Sequence, residues 1–277
     1  MRAPAVAGQF YEGTARALKR QIEASYTHAV GPGELPQAPA KWPAGRPMAY
    51  IVPHAGYVFS GPVAAHAFLD MAKRGVPDTV IILGPSHYRI RHALAVSKEP
   101  WETPLGVAQV DAELAQELVG GPIAHADADF AREHSLEVEV PFLQHLRPEA
   151  KIVPLIMMDQ SLEAARLVAE RLRALFAAHA DRSLGVLAST DFTHYETAQY
   201  AKEQDAWALD AIERCDGELL NDQVSERDIS MCGPGPTMAV LEAVRRAPTK
   251  LLRYANSGDA KVAPMPEVVA YAAVRVA

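Results

Sequence analysis

Two histidines, a cysteine and an aspartate–histidine pair stand where apolar stretches of this chain end. Ile51-Val52-Pro53 runs into His54, and Val80-Ile81-Ile82-Leu83 runs through Gly84-Pro85-Ser86 into His87. Val186-Leu187-Ala188-Ser189-Thr190 leads into Asp191 and then His194, and Ile229-Ser230-Met231 delivers Cys232 ahead of Gly233-Pro234-Gly235-Pro236. Imidazole and thiolate hold transition metals, and carboxylate and imidazole move protons. Open α/β sheets place chemistry outside the carboxyl ends of their strands, so groups far apart in sequence can meet in one cleft.

Each residue has a plainer alternative. His54 lies in Pro53-His54-Ala55-Gly56-Tyr57 and could simply bond the main chain of a loop. His87 follows a Gly-Pro-Ser turn of the kind that re-aims one side chain. Cys232 could be a small buried hydrophobe, although a helix N-terminus or a cation beside it would favour the thiolate. Two imidazoles and a thiolate make three ligands and leave positions for water, dioxygen or substrate. Asp191 could accept a proton or orient a histidine. His194, near a metal but not bound to it, would be a general base, since imidazole titrates near ~6.5. For this pair the alternative is a capping aspartate and a surface histidine. His134, in Glu133-His134-Ser135, could donate to a substrate oxygen or belong to a helix cap made by Ser135. Tyr57, Tyr88 and Tyr195 neighbour these groups and could line an aromatic pocket. Cys215, late in a helical run, reads as structural.

The elements that must position these groups alternate. Met48 to Pro53, Thr79 to Leu83, Ile152 to Met157 and Leu184 to Thr190 read as buried strands. Ala93 to Ser97 and Gly106 to Val110 are weaker strands, and Leu251 to Tyr254 and Val268 to Val276 close the chain. Helices are expected from Thr14 to Tyr26, Pro62 to Lys73, Asp111 to Val119, Ser135 towards Leu146, Ser161 to Ala178, Thr197 to Arg214 and Pro234 to Arg245. A proline-rich stretch from Gly31 to Pro47 should wrap the surface. The pattern predicts an α/β fold, a single domain over residues 1–277, with a central, largely parallel or mixed sheet covered by helices on both faces.

Composition removes several function classes. The chain has 277 residues, a net charge of -7 and only two cysteines. Its basic residues are scattered, with no stripe that would neutralise phosphates, so nucleic acid is not an expected partner. No apolar run approaches the ~20 residues that cross a bilayer. With no signal-peptide core near Met1 and no cysteine framework, a cytoplasmic location is expected.

Several motifs together resemble one family. They are Pro4-Ala5-Val6-Ala7-Gly8-Gln9-Phe10-Tyr11, Pro53-His54-Ala55-Gly56-Tyr57, Gly84-Pro85-Ser86-His87, Thr103-Pro104-Leu105-Gly106, Glu133-His134-Ser135-Leu136-Glu137, Ser189-Thr190-Asp191-Phe192-Thr193-His194-Tyr195 and Met231-Cys232-Gly233. In type and order they are similar to those of Memo-like proteins, also called AmmeMemoRadiSam system protein B. The resemblance implies the fold of class III extradiol dioxygenases, which bind non-haem iron through two histidines and a glutamate. It implies His54 and His87 as the matching histidine ligands, with Cys232 where the glutamate would be. It places His194 as the catalytic base with Asp191 beside it, and His134 as a further pocket histidine. Tyr88 stands where many relatives carry a second histidine, and Glu196 where a glycine is usual.

Fe(II) is the expected metal, and a His/His/Cys set also accepts copper or zinc. The function implied is an iron-dependent redox protein or oxygenase-like enzyme, an oxidoreductase acting on an unidentified small molecule or peptide. The alternative is a peptide- or phosphopeptide-binding module on the same scaffold, and hydrolysis at zinc ranks third. A radical SAM protein and an AMMECR1-like protein are the implied pathway partners.

Overall fold

The apolar runs read as strands come together in one mixed sheet. The computed structural model describes residues 1–261 and 263–277. Its strands, among the described residues, are β1 (Met48–Val52), β2 (Thr79–Pro85), β3 (Leu94–Val96), β4 (Trp101–Thr103), β5 (Gly106–Ala108), β6 (Ile123–His125), β7 (Lys151–Met157), β8 (Leu184–Ser189), β9 (His194–Glu196), β10 (Lys250–Asn256) and β11 (Val268–Arg275). The helices are α1 (Ala15–Thr27), α2 (Gly61–Arg74), α3 (Ala112–Leu118), α4 (Glu139–Leu146), α5 (Leu162–Ala178), α6 (Ala198–Glu213), α7 (Gly217–Glu226), α8 (Pro234–Ala243) and α9 (Ser257–Lys261).

The strand order is β10-β11-β1-β8-β2-β7-β3-β6, with β9 added on β11 and β4–β5 forming a separate ribbon. The centre, β1, β8, β2 and β7, is parallel throughout. Outside it, β11 runs antiparallel to β1 and β3 antiparallel to β7. Every residue of β1, β2 and β8 is buried, as expected where helices cover both faces.

The two-residue repeat of a strand sorts these side chains into two cores. Ala49, Ile51, Ile81, Leu83, Val153 and Leu155 meet Leu114 of α3, Val168 and Leu172 of α5, Ile212 of α6 and Met238 of α8. Their neighbours Tyr50, Val52, Val80, Ile82 and Ile152 point the other way, to Leu18 and Ile22 of α1, Phe68 of α2 and Phe142 of α4. Side-chain caps mark four helix starts: Asp111, Ser161, Thr197 and Asp216 accept from Leu114, Ala164, Tyr200 and Leu219 N–H groups. Each such cap is worth about 1 kcal/mol.

Several boundaries differ from expectation. The helix expected from Ser135 begins at Glu139, which puts Pro141 in its first turn, where a missing N–H costs nothing. Residues 135–138 instead form tight turns. The run from Thr197 to Arg214 is α6, but α7 follows it after a turn in which Cys215 has φ 54°. Cys215 thus lies beyond the helix rather than late in it, with its Sγ 3.6 Å from the Leu241 carbonyl. Thr14 stands at the start of α1 without a side-chain cap bond. The segment before β1 crosses the surface as expected, and the Trp42 N–H donates to the Val76 carbonyl at 3.0 Å. Among the described residues no helix is long and apolar enough to cross a membrane.

Candidate metal centre

Neighbouring parallel strands deliver the site. β8 lies between β1 and β2, so the loops carrying His54, Asp191 and His87 leave the sheet side by side. Cys232 arrives on the loop before α8, and its approach depends on Gly233. A Cβ at Gly233 would stand 2.7 Å from the Ser189 carbonyl oxygen and 2.8 Å from Thr190 Cβ. Gly84 has the same purpose under His87, since a Cβ there would meet Leu136 at 2.9 Å.

The ligand atoms of His54, His87 and Cys232 all lie within 4.8 Å of one another. His54 Nε2 is 3.3 Å from Cys232 Sγ, and the His54 and His87 rings are 5.1 Å apart at 87°. Metal–nitrogen bonds of ~2.0–2.1 Å and metal–sulfur bonds of ~2.3 Å in a tetrahedron space ligand atoms by about 3.3–3.8 Å. The three donors fit one ion with small adjustments.

Each histidine is oriented through the nitrogen that faces away from the centre, as ligating histidines are. His87 Nδ1 donates to Glu133 Oε1 at 2.9 Å, and its main-chain N–H donates to Oε2 at 2.6 Å. Glu133 Oε1 also accepts the N–H groups of His134 and Ser135, both at 2.8 Å. Burial would raise the Glu133 carboxyl, but these donors, led by His87, outweigh it and hold it at about 2.

His54 Nδ1 meets Ser189 Oγ at 2.8 Å. That hydroxyl also contacts the Ser135 carbonyl at 2.7 Å and Glu139 Oε1 at 2.9 Å. A serine has one proton to give. The Ser135 carbonyl can only accept, so it takes that proton, and the other two partners must both donate. His54 therefore carries its proton on Nδ1 and turns the Nε2 lone pair to the centre. Glu139 is then a neutral carboxylic acid. Burial independently pushes the Glu139 carboxyl well above its usual range, and burial with the neighbouring His87 and His134 keeps His54 well below 6.5.

Asp191 is buried and accepts the His54 N–H at 2.8 Å. It orients the loop of His54 through the main chain, not through the imidazole. Its own N–H donates to Cys232 Sγ at 3.0 Å. Burial raises the Asp191 carboxyl to about 6, against the pull of His194. Burial and the Asp191 charge push the Cys232 thiol well up. Ligation to a cation would favour the thiolate against that push.

His194 stands on β9, outside the ligand group. Its Nδ1 contacts the Ser230 carbonyl at 2.9 Å and its N–H donates to Ser230 Oγ at 2.8 Å. The carbonyl fixes the proton on Nδ1 and leaves Nε2 with a free lone pair. His134 stacks on His87 at 4.3 Å and meets the Phe10 ring, tilted by 59°, at 4.7 Å. Burial and His87 bring it down to about 4, so it is neutral at pH 7. Tyr57 does not line the pocket; it is buried, its hydroxyl on the Val138 carbonyl at 2.7 Å.

The comparison with known proteins is decisive at the level of family. The family model described as Memo-like protein matches residues 2–275. A MEMO1 family protein of Sulfurisphaera tokodaii is 41% identical over 281 residues, covering 99% of each chain. One of Saccharolobus solfataricus is 39% identical over 280 residues, 99% of this chain and 98% of the relative. One of Methanopyrus kandleri is 41% identical over 283 residues, with the same shares. This chain belongs to the Memo-like family. The crystal structure of an uncharacterized Escherichia coli K12 protein shares the fold, with a TM-score of 0.55 at 14% identity over 84% of this chain and 100% of that one.

Sequence reasoning did not single out the acids that support this Memo-like centre. Glu133, Glu137 and Glu139 are all buried. Their signal was present as three carboxylates spaced through Glu133-His134-Ser135-Leu136-Glu137-Val138-Glu139, next to a candidate histidine. Gln160 was also missed; its Nε2 donates to the Cys232 carbonyl at 2.8 Å. A second cluster, His87, Glu133 and His134, has ligand atoms equally close. It is the weaker site, because Glu133 is already committed to four hydrogen bonds.

Proposed function

We propose that this Memo-like protein is an iron-dependent redox protein whose metal is held by His54, His87 and Cys232. The observation that carries the reading is the convergence of those three donors within 4.8 Å. The hydrogen bonds behind both imidazoles support it, since each leaves a lone pair facing the centre. A bound ion of this donor set would supply Lewis-acid or one-electron chemistry at its open positions. The chain's own contribution is positional and protonic. Asp191 and Glu133 pin the loops that carry His54 and His87. His194, with Nδ1 tied to Ser230, offers Nε2 to take a proton from a substrate.

Protein purified without oxygen should contain near-stoichiometric metal by elemental analysis, predominantly iron. The His54→Ala, Cys232→Ala double variant should contain none. Full metal content in that variant would refute the site. Copper or zinc in place of iron would keep the site and change its chemistry. Peptide binding by a protein that takes up no metal would favour the binding-module reading.

A further inference from the structure

The N-terminal motif Pro4–Tyr11 supplies no ligand to the metal, yet the fold holds it in place with buried charge. The Glu137 carboxylate accepts the N–H groups of Ala5 at 2.8 Å and Val6 at 3.1 Å, bonds the Tyr11 hydroxyl, and pairs with buried Arg2 at 2.7 Å. The Gly8 N–H closes the turn on the Tyr11 carbonyl at 2.7 Å, with φ 79° at Gly8. The segment so fixed forms one wall of a cavity of about 360 Å3, whose lining includes Val6, Gln9, Phe10, Tyr88, Arg132 and His134. His134 connects the cavity to the candidate metal centre, because it also stacks on the ring of His87 at 4.3 Å.

The chemistry of that lining is selective. Among the described residues no aspartate or glutamate lines the cavity, although the chain carries a net charge of -7. The Arg132 guanidinium lies 4.4 Å from the Tyr88 ring centre and meets no carboxylate among the described residues. A planar guanidinium matches a carboxylate with paired N–H groups. Phe10, Tyr88 and Val6 offer the apolar surface that a small flat body needs. A volume of about 360 Å3 lies at the small-molecule end of ligand cavities, which run from ~300 to ~1,000 Å3.

We infer that this cavity binds a small organic carboxylate, its anionic end on Arg132 and its apolar body against Phe10 and Tyr88. Its role as the substrate pocket of the metal centre rests on the function proposed above; carboxylate binding itself does not.

Calorimetric titration with benzoate and with benzamide tests this on the full-length protein, metal-free and zinc-loaded. Benzoate should bind both forms at least about 10-fold more tightly than its uncharged analogue, a difference of about 1.4 kcal/mol. Arg132→Gln should abolish that preference while leaving zinc uptake unchanged, and Arg132→Lys should restore part of it. Equal binding of the two probes, no benzoate binding below about 10 mM, or a preference that survives Arg132→Gln would overturn the inference. So would a preference seen only with zinc present and insensitive to Arg132, which would put the carboxylate on the metal. Failure of the metal reading shows separately, as absent zinc uptake with benzoate binding intact.

Discussion

Replacing Glu133 by glutamine keeps the shape of the side chain and removes the charge that orients His87. In the native protein one carboxylate accepts four donors: His87 Nδ1–H and the main-chain N–H groups of His87, His134 and Ser135. A glutamine can accept on one atom only, and its NH2 must face at least one of those donors in a buried setting. Loss of a partner behind a metal-ligating histidine typically costs 10–100-fold in affinity, or about 1.4–2.7 kcal/mol. The metal-free protein should also weaken. The Glu133 carboxyl falls from 4.5 to about 2 on folding, which at 1.36 kcal/mol per pH unit is an upper bound of about 3 kcal/mol. Because the folded value is the lower one, this stability is present above pH 4.5 and is lost as pH falls from 4.5 through about 2. Competition with a chromophoric chelator measures the affinity, and urea unfolding of metal-free protein across that pH range measures the stability. Unchanged affinity together with an unchanged acid profile in Glu133→Gln would refute the argument that this carboxylate holds His87 for a cation.

Two further predictions follow from the same geometry. Glu139 should show the infrared carbonyl band of a protonated carboxylic acid throughout the neutral pH range. Glu139→Gln, whose amide can still donate to Ser189, should lose the band but stay within about 1.5 kcal/mol of native stability; an ionised carboxylate at pH 7 would break the proton count at Ser189. Gly233→Ala should displace Cys232, since its Cβ would stand 2.7 Å from the Ser189 carbonyl oxygen. The expected cost is about 1–3 kcal/mol by thermal or urea unfolding, with weaker metal binding, and a variant matching native in both would contradict the packing described.

The central strands were legible because burial on both faces demands unbroken apolar runs, and Gly84-Pro85-Ser86 ends one of them just before His87. The candidate histidines His54 and His87 were legible for the same reason, standing at the ends of those runs, whereas Cys232 follows no strand and lies in the loop between α7 and α8. The capped helices announced themselves through Asp111, Ser161 and Thr197. Other parts carried weaker signals. The three-residue strands β4, β6 and β9 are too short for a period of two to show. The helix α7 (Gly217–Glu226) buries only Gly217 and Leu220 and reads as a polar loop. Glu133, Glu137 and Glu139 look like a solvated helix face, because a carboxylate's burial depends on partners that arrive from distant segments: His87, the N-terminal turn at residues 5–6, and Ser189. Ser189 itself is hidden inside the apolar run of β8, and only the proximity of His54 gives it a task.

X-ray absorption at the metal edge of protein loaded without oxygen tests the central claim most directly. A shell with one sulfur at ~2.3 Å and two imidazole nitrogens near ~2.0–2.1 Å is predicted, with the sulfur lost in Cys232→Ser. A shell of oxygen and nitrogen alone in the native protein would contradict it.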